Sequence, residues 1–404
     1  MNSALLKSAP IRILLWIFMA NFFYDDPTLY LYKRILYSIF IYIALAETGV
    51  FYYTLKPDKN SFQMPSFYKV YMLFIFIFIT IALFKDFQNP RLNLVTLFNN
   101  PIALLGIAPV FIFAIGAHTD DEDLALLLKL LLLISLVFTL VVLLPFFGKV
   151  KYYQGYVCAN AFIPLLIITI CHKKYRILSM ALIIFAIYFS HVSDYRVISL
   201  RIILFLSLLV AFTITKKWGF LKVLVIALTC FCLYQFIANL QDILYMFKGI
   251  IGVKGFDDDD TRGFLWDELF GDMKAHELIF GRGFLGTYFS EYFLLEIVRY
   301  HRYGDHFLRF GVEVGFLHLI LKGGYIYVIL YTFPIIYASL KGIFFTYKNT
   351  MVFYLSIYLL TEILIMFIEN WPYFSIQFSL IFYLSGYIVR KSYMEKLNDN
   401  LVLQ

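Results

Sequence analysis

Charge is scarce in this chain. Only 15% of its 404 residues are Asp, Glu, Lys or Arg, against about 25% in soluble globular domains. Hydrophobic residues make up 62%, and mean hydropathy is +0.79. So little charge excludes an ordinary soluble domain and predicts an all-α polytopic membrane protein. Cysteine is sparse too. Cys158, Cys171, Cys230 and Cys232 all fall in apolar runs, which argues against a disulfide framework. Cys-x-Cys on a helix also points its thiols to different faces, away from a shared metal. A small-residue cleavage site is missing after the first apolar run, Ile11 to Phe23, which leads into Tyr24-Asp25-Asp26-Pro27. That run reads as a retained span. Internal repeats and low-complexity segments are missing, so the paired halves usual in transporters are not visible. The formal charge of +7 sits at the ends of apolar runs, which speaks against nucleic acid as a partner.

Long apolar runs are what the chain has. A span needs about 20 mostly apolar residues. Twelve stretches qualify, near 5–23, 34–55, 67–84, 94–116, 124–147, 156–171, 175–191, 197–215, 219–240, 312–341, 350–369 and 372–389. Aromatics reach 20%, with Tyr and Phe crowding the span ends as interfacial anchors. When spans alternate, Lys56 to Lys59, His172 to Arg176, Lys216-Lys217, Lys341 to Lys348 and Arg390-Lys391 share one side. The positive-inside rule makes that side cytoplasmic. Both termini are then inside, and residues 241–311 form an outer loop between spans nine and ten. The acidic turn Asp120 to Asp123 also lands inside, against the trend. Residues 1–404 thus read as a single integral membrane domain carrying one large insertion.

The unusual chemistry gathers from Gln241 to Gly324. Up to Arg309 this stretch holds twelve of the 27 acidic and eight of the 34 basic residues, and it carries His276, His301, His306 and His318. Asp260 or Thr261 is placed as a helix N-cap, followed by a helix from Arg262 to His276 with Trp266, Leu269, Phe270 and Met273 on one face. Such a face packs on the bundle or lies on the membrane. Gly281-Arg282-Gly283 closes the unit, a mixed stretch runs from Tyr288 to Tyr303, and Gly323-Gly324 predicts a bend in the tenth span.

Several residues are candidates for chemistry. Arg196 heads the eighth span after Ser193-Asp194-Tyr195, and Arg201 lies deeper, at a cost of roughly 2.5–3.5 kcal/mol if unpaired near mid-membrane. Snorkelling or pairing with Asp194 explains both arginines. An anion site explains them as well, since guanidinium forks match phosphate oxygens. Arg262 and Arg282 sit in the loop, where a solvated role is the ordinary one. Asp257 to Asp260 lack the alternating spacing of a calcium loop, and charge at a helix start accounts for them. His306, Glu313 and His318 cluster where the loop re-enters the membrane, as general-base candidates or as interfacial hydrogen-bonding groups. Glu47, Lys129, Lys322 and Glu362 are further intramembrane ionisable groups, for which a buried pair such as Glu362 with Arg or Lys is the structural alternative.

Four stretches, taken in order, resemble the O-antigen ligase and O-antigen polymerase family. Ser193 to Arg196 is similar to its Ser-Arg element, and Arg262 with Trp266 to its Arg-x-x-x-Trp. Phe280-Gly281-Arg282-Gly283-Phe284 is similar to its Gly-x-Gly. Glu313-Val-Gly-Phe-Leu317 with Gly324 resembles its His-Asn-x-x-Leu segment and trailing Gly. The chain has Glu313-Val314 where the ligases carry His-Asn, which favours a polymerase. The resemblance implies an inverting, metal-independent, cofactor-free glycosyltransferase of the C-type membrane fold in a bacterial inner membrane, with its site facing the periplasm. Its donor is a glycan on undecaprenyl pyrophosphate. Its acceptor is a glycan or lipid-linked repeat unit for a polymerase and lipid A–core or protein for a ligase or related transferase, and a chain-length regulator is a further partner. The resemblance assigns the diphosphate to Arg196, Arg262 and Arg282 and the base to Glu313 or His306. Arg201, Trp266, Gly281, Gly283 and His318 support them. A lipid-linked glycan flippase is the reading from another class.

Overall fold

The computed structural model describes residues 66–85, 108–143, 175–192, 196–238, 264–291, 308–309, 311–345, 349–369 and 376–402, with parts of 9–16 and 39–50. It is mostly helical, as the apolar runs require. The helices are α1 (Ser66–Phe84), α2 (Phe113–Ala117, entered through a π-helical turn Ala108–Ile112), α3 (Asp121–Leu143), α4 (Arg176–Val192), α5 (Arg196–Ile214) and α6 (Gly219–Ala238). The short helices α7 (Phe264–Asp272) and α8 (Ala275–Phe280) follow, then the long α9 (Gly315–Phe344), α10 (Thr350–Ile365) and α11 (Ile376–Val402). Among the described residues there is one departure from an all-α chain: β1 (Tyr288–Phe289) pairs antiparallel with β2 (Leu308–Arg309), Tyr288 facing Arg309. Two-residue strands are too short to leave an alternating pattern in sequence.

Helix α9 packs on α10 and α11; α2 lies on α11, α5 on α10, and α1 and α8 on α9. Tyr68, Phe113, Tyr327, Tyr331 and Phe382 are buried between them, with Tyr331 meeting Phe382 edge-on at 5.0 Å. The α2–α11 crossing depends on small residues. A Cβ on Gly116 would strike the Tyr383 carbonyl, and one on Gly386 the Phe113 carbonyl, so the two backbones touch as small residues permit in apolar bundles.

Among the described residues one helix, Gly315–Phe344, is long and apolar enough to cross a membrane, and Tyr68–Ala82, Leu200–Ile214, Gly219–Cys232 and Thr350–Ile365 are shorter apolar helices. Helix α1 is apolar on both its inner and its outer face. Its Tyr68, Ile75 and Ile79 are buried, while Leu73, Phe74, Ile77 and Ile81 face outward.

The bundle has two chemically distinct ends. At one, the α2–α3 turn is tied to α11. Asp121 accepts from Tyr387 at 2.7 Å and pairs with Lys391 at 2.6 Å, and Arg390 donates to the Thr119 carbonyl. The acidic turn therefore sits beside Arg390-Lys391, and local pairing accounts for acid on a basic side. At the other end, the loop helices dock on α9. Leu265, Leu269 and Met273 of this unit bury against Val312, Val314, Leu317, Ile320 and Leu321, with Trp266 and Phe270 packed at the margin. The predicted apolar face thus packs on the bundle.

The single helix expected from Arg262 to His276 is two helices. The break falls at Lys274, which is extended (φ −74°, ψ 159°). Arg282 Nη2 donates to the Asp272 carbonyl at 2.6 Å, so that oxygen is turned out of a helical ladder. Glu277 then caps the new helix by accepting from the Lys274 N–H at 2.8 Å.

Candidate functional site

The glycine-rich turn after α8 is the centre of the loop end. Gly281 (φ 70°, ψ −177°) closes α8, and Gly324 (φ 67°, ψ −171°) kinks α9 where the sequence predicts a bend. Both lie in a backbone region open essentially to glycine alone. They also face each other's chain. A Cβ on Gly281 would collide with Gly323, and one on Gly324 with the Ile279 carbonyl. Two backbones therefore run in direct contact, with Arg282 N–H donating to Leu321 O (2.8 Å) and Gly283 N–H to Lys322 O (3.1 Å).

Neighbouring elements hold this turn. Phe284 N–H donates to Ala82 O of α1 at 3.0 Å, and the Phe284 ring is fully buried, 5.6 Å from that of Tyr327. The Lys85 ammonium donates to the Gly281 carbonyl. From α9, buried Lys322 donates to Gly286 O at 2.7 Å. Lys85 carried no signal in the sequence. Lys322 did, as a cation in an apolar run, but its partner was not predictable.

Arg282 is committed to its own loop. Its Nη1 donates to Asp272 Oδ2 (2.5 Å) and Thr287 O (2.9 Å), and its Nη2 to Glu277 Oε2 (3.0 Å) besides the Asp272 carbonyl. Asp272 Oδ2 also accepts from the Phe289 N–H of β1 at 3.1 Å. The guanidinium thus fastens α7, α8 and β1 together. Burial alone would push the Glu277 carboxyl up, but bonds from Arg282 and the Lys274 N–H hold it below its ordinary value. A depressed carboxyl contributes stability that is whole above its ordinary value of 4.5 and is lost as pH falls through the lower folded value. We expect hydrogen exchange in 264–289 to stay slow at neutral pH and to rise below about pH 4. Glu277→Gln should flatten that rise, and a flat wild-type profile would contradict the assignment.

The approach to α9 carries the polar candidates. Glu313 is 54% exposed and pairs with Arg309 at 3.4 Å, so its carboxylate is open to solvent. Tyr288, buried opposite Arg309, has its hydroxyl driven up to about 12, chiefly by burial, with Arg309 pulling it down and Glu268 pushing it up. Ser290 donates to Glu268 at 2.6 Å. His318 is buried, and its Nδ1 accepts from the Val312 N–H at 3.2 Å. That bond leaves Nε2 carrying the proton of a neutral ring. His318 therefore shapes the turn that presents Glu313.

Arg201 sits between two carboxylates of one chain segment, 3.4 Å from Glu362 and 2.8 Å from Glu369. Neither snorkelling nor Asp194 is needed to explain it; Glu362 is the buried partner. Glu369 in turn abuts the α9 start: Phe316 N–H donates to Met366 O at 3.2 Å, and a Cβ on Gly315 would lie 3.1 Å from Glu369 O. Arg201, Glu369, Gly315 and, two residues before it, Glu313 thus follow one another at the loop end. Of the other ionisable groups in apolar runs, Glu47 pairs with Arg12 at 3.3 Å, and Lys129 is exposed. Arg196 is the first residue of α5, about 7.5 Å along its axis from Arg201 toward this end. Arg262, His306 and Asp194 lie outside the described residues. No protein-family model, curated protein or solved structure matches the chain.

Proposed function

We propose that the chain is a polytopic membrane protein of about twelve spans that polymerises lipid-linked oligosaccharide repeat units at its outer face. The observation that carries this reading is the glycine-on-glycine seat of residues 281–286 on α9. Around it lie parts of all four stretches on which the family resemblance rests. Trp266 packs on the cluster that holds Leu317, Gly281 abuts Gly323 while Gly324 abuts Ile279, Glu313 precedes α9, and α5, which Arg196 opens, joins through Arg201 and Glu369. Outward-facing apolar residues on α1, α5 and α6 favour lipid as the surrounding medium, since water would leave large apolar patches uncovered.

In this reading an acceptor sugar hydroxyl attacks the anomeric carbon of the donor glycan. A new glycosidic C–O bond forms with inversion, the bond to the diphosphate oxygen breaks, and its electron pair leaves with undecaprenyl diphosphate. The hydroxyl proton passes to Glu313 or His306. Arg196 and Arg262 take the diphosphate, whose charge grows as the bond breaks. Arg282 acts as a positioning residue, because its Nη1 and Nη2 groups are engaged by Asp272, Glu277 and Thr287. Arg309 orients the Glu313 carboxylate, which solvent exposure leaves accessible to an incoming acceptor.

Purified protein given lipid-linked repeat units alone should build a ladder of longer lipid-linked glycans. Arg196→Ala and Arg262→Ala should each abolish long products at normal membrane abundance, and Glu313→Gln should slow extension by about 10²–10⁴-fold if it is the base. Transfer seen only after lipid A–core is added would make the chain a ligase. Ladders of unchanged length in both arginine variants would make the loop merely structural.

A further inference from the structure

The end opposite the loop carries a second concentration of unusual surface. The α5–α6 turn reads Ile214-Thr-Lys-Lys-Trp-Gly-Phe220, setting two adjacent cations among large apolar groups. Ile214 and Phe220 are each 79% exposed and Trp218 is 66% exposed, while Phe345, at the end of α9, is 72% exposed. Lys216 and Lys222 converge on the Phe353 ring, 5.4 and 6.0 Å from its centre, and Lys222 donates to Ile343 O at 2.7 Å. Lys341 lies 5.1 Å over the Phe345 ring. The segments that carry these lysines hold no acid. No Asp or Glu occurs between Arg196 and Gln241, or between Val314 and Thr361, and Lys216 and Lys217 have no ion pair among the described residues.

Ammonium groups drawn to one spot repel one another unless an anion joins them. Aromatic rings this exposed require an apolar medium. A small soluble anion satisfies the first demand only, and an apolar partner the second only. An anionic head joined to acyl chains satisfies both, and Trp218 beside lysines is the residue mix that membrane interfaces select. The outward faces of Val223, Leu224, Leu228 and Phe231 continue from the turn along α6, as a track for the tails.

We propose that the α5–α6 turn, with Lys341 and Phe345 of the α9 end, is a docking site for an anionic phospholipid. The head engages Lys216 and Lys217, and the tails lie along α6. The site rests on the membrane reading, but it is independent of the glycan chemistry proposed for the opposite end.

The test uses full-length protein in nanodiscs of phosphatidylcholine with a minor fraction of phosphatidylglycerol, followed by native mass spectrometry of retained lipid. Phosphatidylglycerol should be retained in preference to phosphatidylcholine. Each lysine near an anionic headgroup is worth about five-fold in affinity, so Lys216→Gln with Lys217→Gln should weaken retention by about twenty-five-fold. The double Lys→Arg variant should keep it, which separates charge from folding. Equal retention of the two lipids, or retention indifferent to the glutamine pair, overturns the site and leaves the membrane reading standing. A protein that fails to enter the discs at all overturns both.

Discussion

Gly324→Ala is expected to detach the 279–286 turn from α9 and, under the proposed function, to abolish glycan chain extension with it. The substitution meets two penalties at one atom. The backbone there (φ 67°, ψ −171°) is one that an L side chain occupies only at a cost of about 1–3 kcal/mol. The new methyl would also run into the Ile279 carbonyl, which is backbone and cannot swing aside. Relieving either strain moves α8 off α9. That movement breaks the Arg282 and Gly283 bonds to Leu321 O and Lys322 O and pulls Phe284 from its buried seat against Tyr327. Gly271→Ala is the control. A Cβ there meets nothing within 4 Å, and alanine favours the helix α7 by about 1 kcal/mol. Thermal unfolding in detergent and limited proteolysis of the loop should separate the two variants clearly. Equal melting and equal cleavage would remove the glycine contact from its central place.

Arg201→Met is expected to destabilise the protein by about 3–5 kcal/mol, because it strands Glu362 inside the bundle without its cation. The side chains are 4% and 0% exposed, so water screens this pair very little. Removing both charges should cost less than the sum of the single losses. Arg201→Met with Glu362→Leu replaces an ion pair by apolar packing, a change often neutral in buried sites. A double-mutant cycle measured by denaturation should therefore show strong coupling. Additive losses would mean that the 3.4 Å contact between Arg201 and Glu362 carries no energy. Arg201→Met with Glu369→Gln separates the second partner, whose 29% exposure should make its share smaller.

Much of the architecture is legible in the sequence. Apolar runs predict α1, α3 to α6 and α9 to α11 within a few residues at most ends, because burial of a helix in an apolar medium needs nothing subtler than length and hydropathy. The main exception is α11, which runs on past the apolar segment to Val402. The bend at Gly323-Gly324 was legible because adjacent glycines weaken a helix wherever they occur. The α7–α8 break was not. Helical spacing continues across it, and what ends α7 is Arg282, ten positions on, taking the Asp272 carbonyl. Arg282 itself illustrates the same limit. Its type and spacing suit a phosphate as well as they suit two carboxylates, and only the approach of Asp272 and Glu277 distinguishes these roles.

By composition and pattern alone, then, this chain is committed to a helical, apolar bundle with one charged insertion, since hydropathy and glycine placement act locally and need no knowledge of contacts. What its charged groups do was decided in three dimensions. Arg201 meets Glu369 across 168 positions, Lys85 meets Gly281 across 196, and Asp121 meets Lys391 across 270. Ion pairs and hydrogen bonds act over a few ångströms, so their partners are settled only when packing brings distant segments together.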